Sequence, residues 1–193
     1  MYKIILASNS KVRKKILDEN GIKCRVFPSN VDEELAKESL IKENSSPEMI
    51  SKNLAELKAN KISLKFNDEI VIGADSVIDI NRELISKPKN REEALKILKK
   101  LNGKTHYLIS SVCISKNGSM IWNYTDKASL TMKNMTDQQL KEYLFKITDE
   151  ALYAYNVYQI EGEGKVLFSK IDGDENTIMG LPVKKIKDYL ENL

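Results

Sequence analysis

The chain has 193 residues, which suits one domain or two small lobes about a cleft and buries roughly 70% of the unfolded surface without staples. Charged residues make up 31% and nearly balance, so the net charge of +3 is not the footprint of a protein built around duplex nucleic acid. No apolar segment approaches the roughly 20 residues of a membrane span, and a single histidine, His106, argues against a zinc site of Cys and His. Cys24 and Cys113 are expected to be free thiols in the cytoplasm, with no signal peptide ahead of the first strand.

Tyr2 to Leu6 reads as a buried strand, followed by a helix from about Ser10 to Glu19 that Gly21 stops. Cys24 to Pro28 is a short strand, and Asp32, Glu33 and Glu34 open an acidic stretch of the kind usually found in a solvated loop. Ser45-Ser46-Pro47-Glu48 starts a helix running to about Lys65, with Ile50, Leu54, Leu57 and Leu64 as its apolar stripe. Glu69 to Ala74 is a second buried strand ending at Gly73-Ala74-Asp75-Ser76, and Asn81-Arg82 suggests a hairpin. A helix from about Asn90 to Leu101 is capped by Asn90 and Glu93. Tyr107 to Ser115 and Met120 to Met132 flank Asn117-Gly118, a strong hairpin signal. Thr136 to Phe145 is a helix, Ala151 to Ile160 and Lys165 to Ile171 are strands, and a last helix begins at Pro182. The alternation gives an α/β fold with a partly antiparallel sheet.

The first strand-to-helix junction, Ala7-Ser8-Asn9-Ser10 with Arg13, can grip an anion. Free N–H groups, the helix dipole, two hydroxyls and a planar guanidinium meet there. The same residues also read as a serine cap beside a surface arginine. Asp75, at the end of an apolar strand, is poised over a crevice if the sheet is open, or else forms a turn. Lys58 and Lys87 taken singly are ordinary surface lysines, and His106 has no nucleophile beside it. The chain carries neither a P-loop nor a GxGxxG.

Together these pieces resemble the Maf family of nucleotide pyrophosphatases. The matching stretches run in family order over nearly the whole chain. They are Leu6-Ala7-Ser8-Asn9-Ser10 with Arg13, Asp32-Glu33, Leu54-Ala55 with Lys58-Ala59, Gly73-Ala74-Asp75-Ser76 and Lys87-Pro88. Leu101-Asn102-Gly103 with His106, Glu161-Gly162, Gly173-Asp174 and Gly180-Leu181-Pro182 complete the set. The resemblance implies one domain over residues 1–193, of the Maf and inosine-triphosphatase kind, with two α/β lobes and a central mixed sheet around a deep groove. It implies hydrolysis of a nucleoside triphosphate to the monophosphate and pyrophosphate with a divalent cation, Mg or Mn. Asp75, Glu33 and Lys87 are then the expected catalytic residues, with Asp75 as general base and Glu33 and Asp75 as metal ligands. Ser8, Ser10, Arg13, Lys58, Val12, Ser76 and Glu161 are expected to bind substrate. A homodimer is a further expectation from the resemblance, and no stable nucleic-acid or membrane partner is expected. The other role linked to the family is a non-catalytic nucleotide-binding regulator of cell division; the retained carboxylates favour catalysis.

Three departures concern the base. Members associated with dTTP and UTP usually carry Arg at the position of Val12, Gln at that of Glu161, and Asp-Lys-Ala-Gly where this chain has Tyr153-Ala154-Tyr155-Asn156. Glu161-Gly162 looks more like the branch associated with 7-methyl-GTP. If Glu161 faces the base, its carboxylate accepts from a guanine edge and opposes the O4 of thymine or uracil. Guanine-type triphosphates are therefore expected to be preferred.

Overall fold

The strand Ile70–Ile80 (β3) is buried at ten of its eleven residues, because it lies in the middle of a seven-stranded mixed sheet. The computed structural model describes residues 3–154 and 157–193. The sheet runs Arg25–Val26 (β2), Ile4–Leu6 (β1), β3, Thr105–Lys116 (β5), Ser119–Met132 (β6) and Phe168–Asp172 (β7), with Glu83–Ile85 (β4) also paired to β3. β1 is parallel to β2 and β3, and the remaining pairs are antiparallel. The hairpin turns are as expected. Asn81 and Arg82, then Asn117 and Gly118, take positive φ in pairs, which matches the twist of the strands they join.

One edge of β3 is interrupted. β1 pairs with Ile70 to Ile72, and β4 pairs only with Ile78 to Ile80. The other edge pairs with β5 without a break from Val71 to Asp79. Residues 73–77 therefore have a strand on one side and an opening on the other. The strand does not end at the expected Ala74: pairing to β1 stops at Ile72, and β3 continues to Ile80. Asp75 sits mid-strand, held in register by β5.

Alternation along β3 sends successive side chains to opposite faces. Ile72 and Ala74 join Leu6, Ile16, Leu17, Val183 and Ile186 on the face covered by Lys11–Glu19 (α1) and Val183–Glu191 (α8). The opposite face is covered by Pro47–Ser63 (α3), whose Ala55, Ala59 and Ile62 pack on Ile5, Val71 and Cys113. A separate core of Ile78, Leu98, Leu130, Leu140 and Tyr158 lies among Arg91–Leu101 (α4), Asp137–Lys146 (α5), Asp149–Ala154 (α6) and the far ends of β3, β5 and β6. The short helix Glu175–Ile178 (α7) contributes Ile178 to that core.

Some expectations need correction. The acidic stretch from Asp32 is a helix, Glu33–Lys42 (α2), with the Asp32 carboxylate accepting from Leu35 N as its cap. It buries no residue completely, so its periodicity is faint in sequence. Leu57 and Leu64 point to solvent, and Lys58, Ala59 and Ile62 lie inward. The run from Ala151 contains the end of α6, started by Thr148 Oγ1 accepting from Ala151 N, rather than a strand. Its Leu152, Val157 and Tyr158 are buried by core packing, not by sheet pairing. Lys165 to Leu167 belongs to a 3-10 turn, Glu163–Leu167, that leads into β7. In Tyr153-Ala154-Tyr155-Asn156, Tyr155 and Asn156 lie outside the described residues.

α3 is seated unusually close to β3. A Cβ on Gly73 would overlap the Ala55 carbonyl oxygen and lie 2.7 Å from Ala59 N. Only glycine permits that approach. Gly73→Ala is expected to cost about 3 kcal/mol, the upper range for overpacking, since backbone must move. A urea midpoint unchanged from the parent would refute this.

His106 is buried, with Nε2 2.8 Å from Tyr158 Oη and Nδ1 unpartnered. Burial pushes its pKa from 6.5 down to about 4. Between these values the unfolded chain binds a proton that the folded chain refuses, so this residue's stabilisation is complete above pH 6.5 and lost towards pH 4. It amounts to about 3 kcal/mol. The unfolding free energy of the parent should fall more steeply over that interval than that of His106→Gln; equal slopes would sink the assignment.

Candidate active site

A cavity of about 550 Å³ opens at the interrupted edge of β3, within the size range of small-molecule sites. Its walls come from the turn after β1, α1, the start of α2, α3, β3, the end of β4 and the Met179-Gly180 turn. Ser8, Ser10, Arg13, Glu33, Lys58, Asp75, Ser76 and Lys87 all line it. Residues up to 79 positions apart in sequence (87 − 8) are thus assembled at one opening.

The two faces of the sheet contribute different chemistry. On the α3 face Lys58 is 5% exposed, and its Nζ donates to Asp75 Oδ1 at 2.8 Å and lies 3.0 Å from Glu33 Oε1. One buried ammonium therefore joins both candidate carboxylates. Asp75 is also 5% exposed, and its second oxygen, Oδ2, is buried with no hydrogen-bond partner. Burial acts to raise the Glu33 pKa, but Lys58, Lys37 and Lys87 outweigh it and hold the carboxyl below its ordinary value.

On the α1 face Arg13 is a hub. Its Nε donates to Gly180 O at 2.9 Å, Nη1 to Ala74 O at 3.0 Å and Ser8 Oγ at 3.4 Å, and Nη2 to Ser76 Oγ at 3.1 Å. The Ala74 carbonyl lies on the unpaired edge of β3, so the guanidinium stands where a strand N–H would otherwise pair. Ser110 Oγ donates to Thr177 O at 2.7 Å, which leaves Ser76 Oγ to donate to Ser110 at 2.8 Å. Arg13, Ser76, Ser110 and Thr177 thus form one directed chain. Burial lowers the Arg13 pKa, opposed by Asp75 and Glu33. Most of the fork expected to face phosphate is spent on the protein itself. Ser10, in turn, caps α1 by accepting from Arg13 N at 3.2 Å.

Lys87 follows β4 on the exposed rim of the cavity. Its pKa is lowered by desolvation and by Arg13 and Lys37, against Glu33 and Asp75. Val12 and Glu161 are not brought into the cavity lining. Val12 packs on the Leu6–Ile16 core, and exposed Glu161 accepts from Gln159 Nε2 at 3.0 Å. The geometric assumption behind a Glu161–base contact is therefore not met. Sequence reasoning also missed Lys37 and Ser110, and gave Gly180 only as part of a matching stretch, with no role at the site. Ser110 left a trace, as one of two adjacent hydroxyls between Ile109 and Val112 in a buried strand, whereas Lys37 depended on the unrecognised helix α2.

Among the described residues no three His, Cys, Asp or Glu side chains cluster as a metal cage. Glu33 and Asp75, with the orphaned Oδ2, form a two-carboxylate set. That set suits a hard cation such as Mg²⁺, which takes one or two carboxylates and completes its shell with substrate phosphates and water.

Residues 3–193 match the family described as Maf-like protein. The chain is 74% identical over 188 residues to a protein of Pelagibacter ubique (strain HTCC1062) named nucleoside triphosphate pyrophosphatase, covering 97% of this chain and 96% of the relative. It is 38% identical over 187 residues, 97% of this chain and 94% of the relative, to a protein of the same name from Roseobacter denitrificans. A Rhizobium etli protein named 7-methyl-GTP pyrophosphatase is 34% identical over 191 residues, 99% of this chain and 96% of that one.

Arg13→Ala would leave the Ala74 and Gly180 carbonyls and two hydroxyls without their charged donor. With hydrogen bonds to charged groups contributing about 1.5–3 kcal/mol each, the variant is expected to lose 3 kcal/mol or more of stability. Scanning calorimetry of parent and variant reads this directly. An unchanged melting temperature would mean that the guanidinium serves only a ligand.

Proposed function

The chain belongs to the Maf-like protein family, and from that membership and its cavity we propose that it hydrolyses a nucleoside triphosphate to the monophosphate and pyrophosphate. The observation that carries this reading is Asp75. Its Oδ1 is fixed by Lys58, and its Oδ2 is buried and unpartnered in a cavity ringed by Arg13, Lys58, Lys87 and Lys37.

A water attacking the α-phosphorus gives up a proton as its oxygen bonds to phosphorus, and Asp75 Oδ2 is the acceptor. The bond from the α-phosphorus to the bridging oxygen breaks, and its electron pair leaves with pyrophosphate. Lys58 holds the carboxylate rotamer, so the base needs no reorganisation when it takes the proton. Lys87, and Ser8 and Ser10 at the start of α1, face the phosphates. A divalent cation held by Glu33 and Asp75 would neutralise charge on the phosphates. The apolar side of the cavity, with Val77, Ile78, Leu108 and Ile178, offers the base a wall of matching character.

For the base, the relatives named 7-methyl-GTP pyrophosphatase support the guanine-type preference expected from sequence, and the exposed position of Glu161 does not. We keep the preference as a proposal that a substrate panel decides. Pyrophosphate release from GTP, 7-methyl-GTP, dTTP and UTP should favour the first two, and a higher kcat/KM for dTTP or UTP would overturn it.

Asp75→Asn keeps the shape and removes the proton acceptor. Turnover is expected to fall about 10²–10⁴-fold, with nucleotide binding retained. Pyrophosphate release by purified Asp75→Asn at the parent rate would remove Asp75 as base. A parent that binds nucleotide and releases no pyrophosphate would favour the alternative of a non-catalytic regulator.

A further inference from the structure

We infer that Lys37 is a phosphate-binding residue that holds the pyrophosphate end of the substrate. The inference rests on the proposed reaction and assigns one further residue to it. The inward face of α2 is Glu33, Ala36, Lys37 and Leu40, the helical spacing of one stripe. Ala36 and Leu40 pack against Ile50, Leu54, Val77 and Ile109, and this fixes the rotation of the helix. Glu33 and Lys37, one turn apart on the same stripe, are thereby turned into the cavity, which both line.

Lys37 is held there with little to neutralise it. Its side chain is only 17% exposed, and its ion pair, with Glu34, spans 3.9 Å to a carboxylate that is 82% exposed. Such a contact in water contributes little. Lys58, by contrast, is matched by two close carboxylates. A half-buried ammonium lining a cavity without a close counter-ion is a poor structural device and a ready anion contact.

Its place along the cavity follows from its neighbours. Lys87 lines the same cavity and feels the charges of Glu33, Arg13, Lys37 and Asp75, and the charge of Lys37 also bears on Glu33. Contacts run from Arg13 to Ser76, and from Asp75, the residue before Ser76 on β3, through Lys58 to Glu33, with Lys37 one helical turn beyond Glu33 on α2. With the attacked phosphorus at Asp75 and the base on the apolar wall by Ile178, the β and γ phosphates point toward Lys37 and Lys87. Lys87 alone would face the build-up of charge on the departing group; a second lysine, on a different element, divides it.

The test is calorimetric binding of inorganic pyrophosphate and of GMP, each with Mg²⁺, to the parent, Lys37→Gln and Lys37→Arg, with melting temperatures alongside. Lys37→Gln should weaken pyrophosphate binding about tenfold, the scale of one lost charge-assisted contact. It should leave GMP binding and the melting temperature unchanged, and Lys37→Arg should recover most of the loss. Unchanged pyrophosphate affinity in Lys37→Gln, or equal weakening of both ligands, would overturn the inference. The underlying reaction is judged separately, by pyrophosphate release from the parent. Its failure there would leave the binding result to decide Lys37 on its own.

Discussion

The buried ammonium of Lys58 is the interaction on which the site depends. It joins Asp75 of the central strand to Glu33 of a helix 42 residues earlier (75 − 33), beside the close approach of α3 to Gly73. An unpaired ammonium at this depth would be costly, and so would either carboxylate alone. Each member therefore offsets the desolvation of the others and holds them in one rotamer. The contact works only because Gly73, Ala55 and Ala59 let the helix backbone come down onto the strand, so that a lysine side chain spans the remaining distance.

The interrupted edge of β3 explains why the cavity lies where it does. β1 leaves the edge after Leu6 and β4 joins it only at Ile85, so both chains turn away from the gap between them. The two turns carry Ser8 to Ser10 and Ser86 to Lys87. Open sheets place ligands at such breaks in strand order because neighbouring connections diverge there. Here the break also leaves β3 carbonyls in need of donors, and Arg13 meets that need at Ala74. One guanidinium thus closes the wall of the cavity while keeping its positive charge beside it. This is the physical reason that a residue expected to serve the ligand turns out to hold the wall.

Much of this was legible in the sequence, for identifiable reasons. The caps at Ser10, Ser46, Asn90 and Thr136 are local hydrogen-bonding patterns, and all four side chains accept from the backbone N–H three residues on. Asn117-Gly118 encodes its turn through backbone conformation alone. Residues that act through tertiary position were harder to read. Lys58 looks like any helix lysine until α3 is seated on Gly73, and Lys37 looks solvated until Ala36 and Leu40 fix the rotation of α2. Glu161 was the opposite case. Its motif was visible, yet its side chain turns to Gln159 and solvent. The strand expected from Ala151 failed because buried apolar residues have no sheet partner there; α6 and the core around Tyr158 supply their contacts instead.

The cations of the cavity divide by what surrounds them. Lys58 is buried against two carboxylates, so its charge is taken up within that triad. Arg13 is matched by oxygens that carry only partial charge, so its positive charge still reaches the cavity while its geometry is locked. Lys37 and Lys87 have no close carboxylate of their own among the described residues, and the charge of Lys37 helps to lower the Lys87 pKa. A triphosphate brings about four negative charges, and relieving that mutual repulsion adds to what binding gains. Under the proposed reaction, the end of the cavity fixed by Lys58 and Arg13 would hold the reacting group, and Lys37 and Lys87 would meet the part of the substrate that departs.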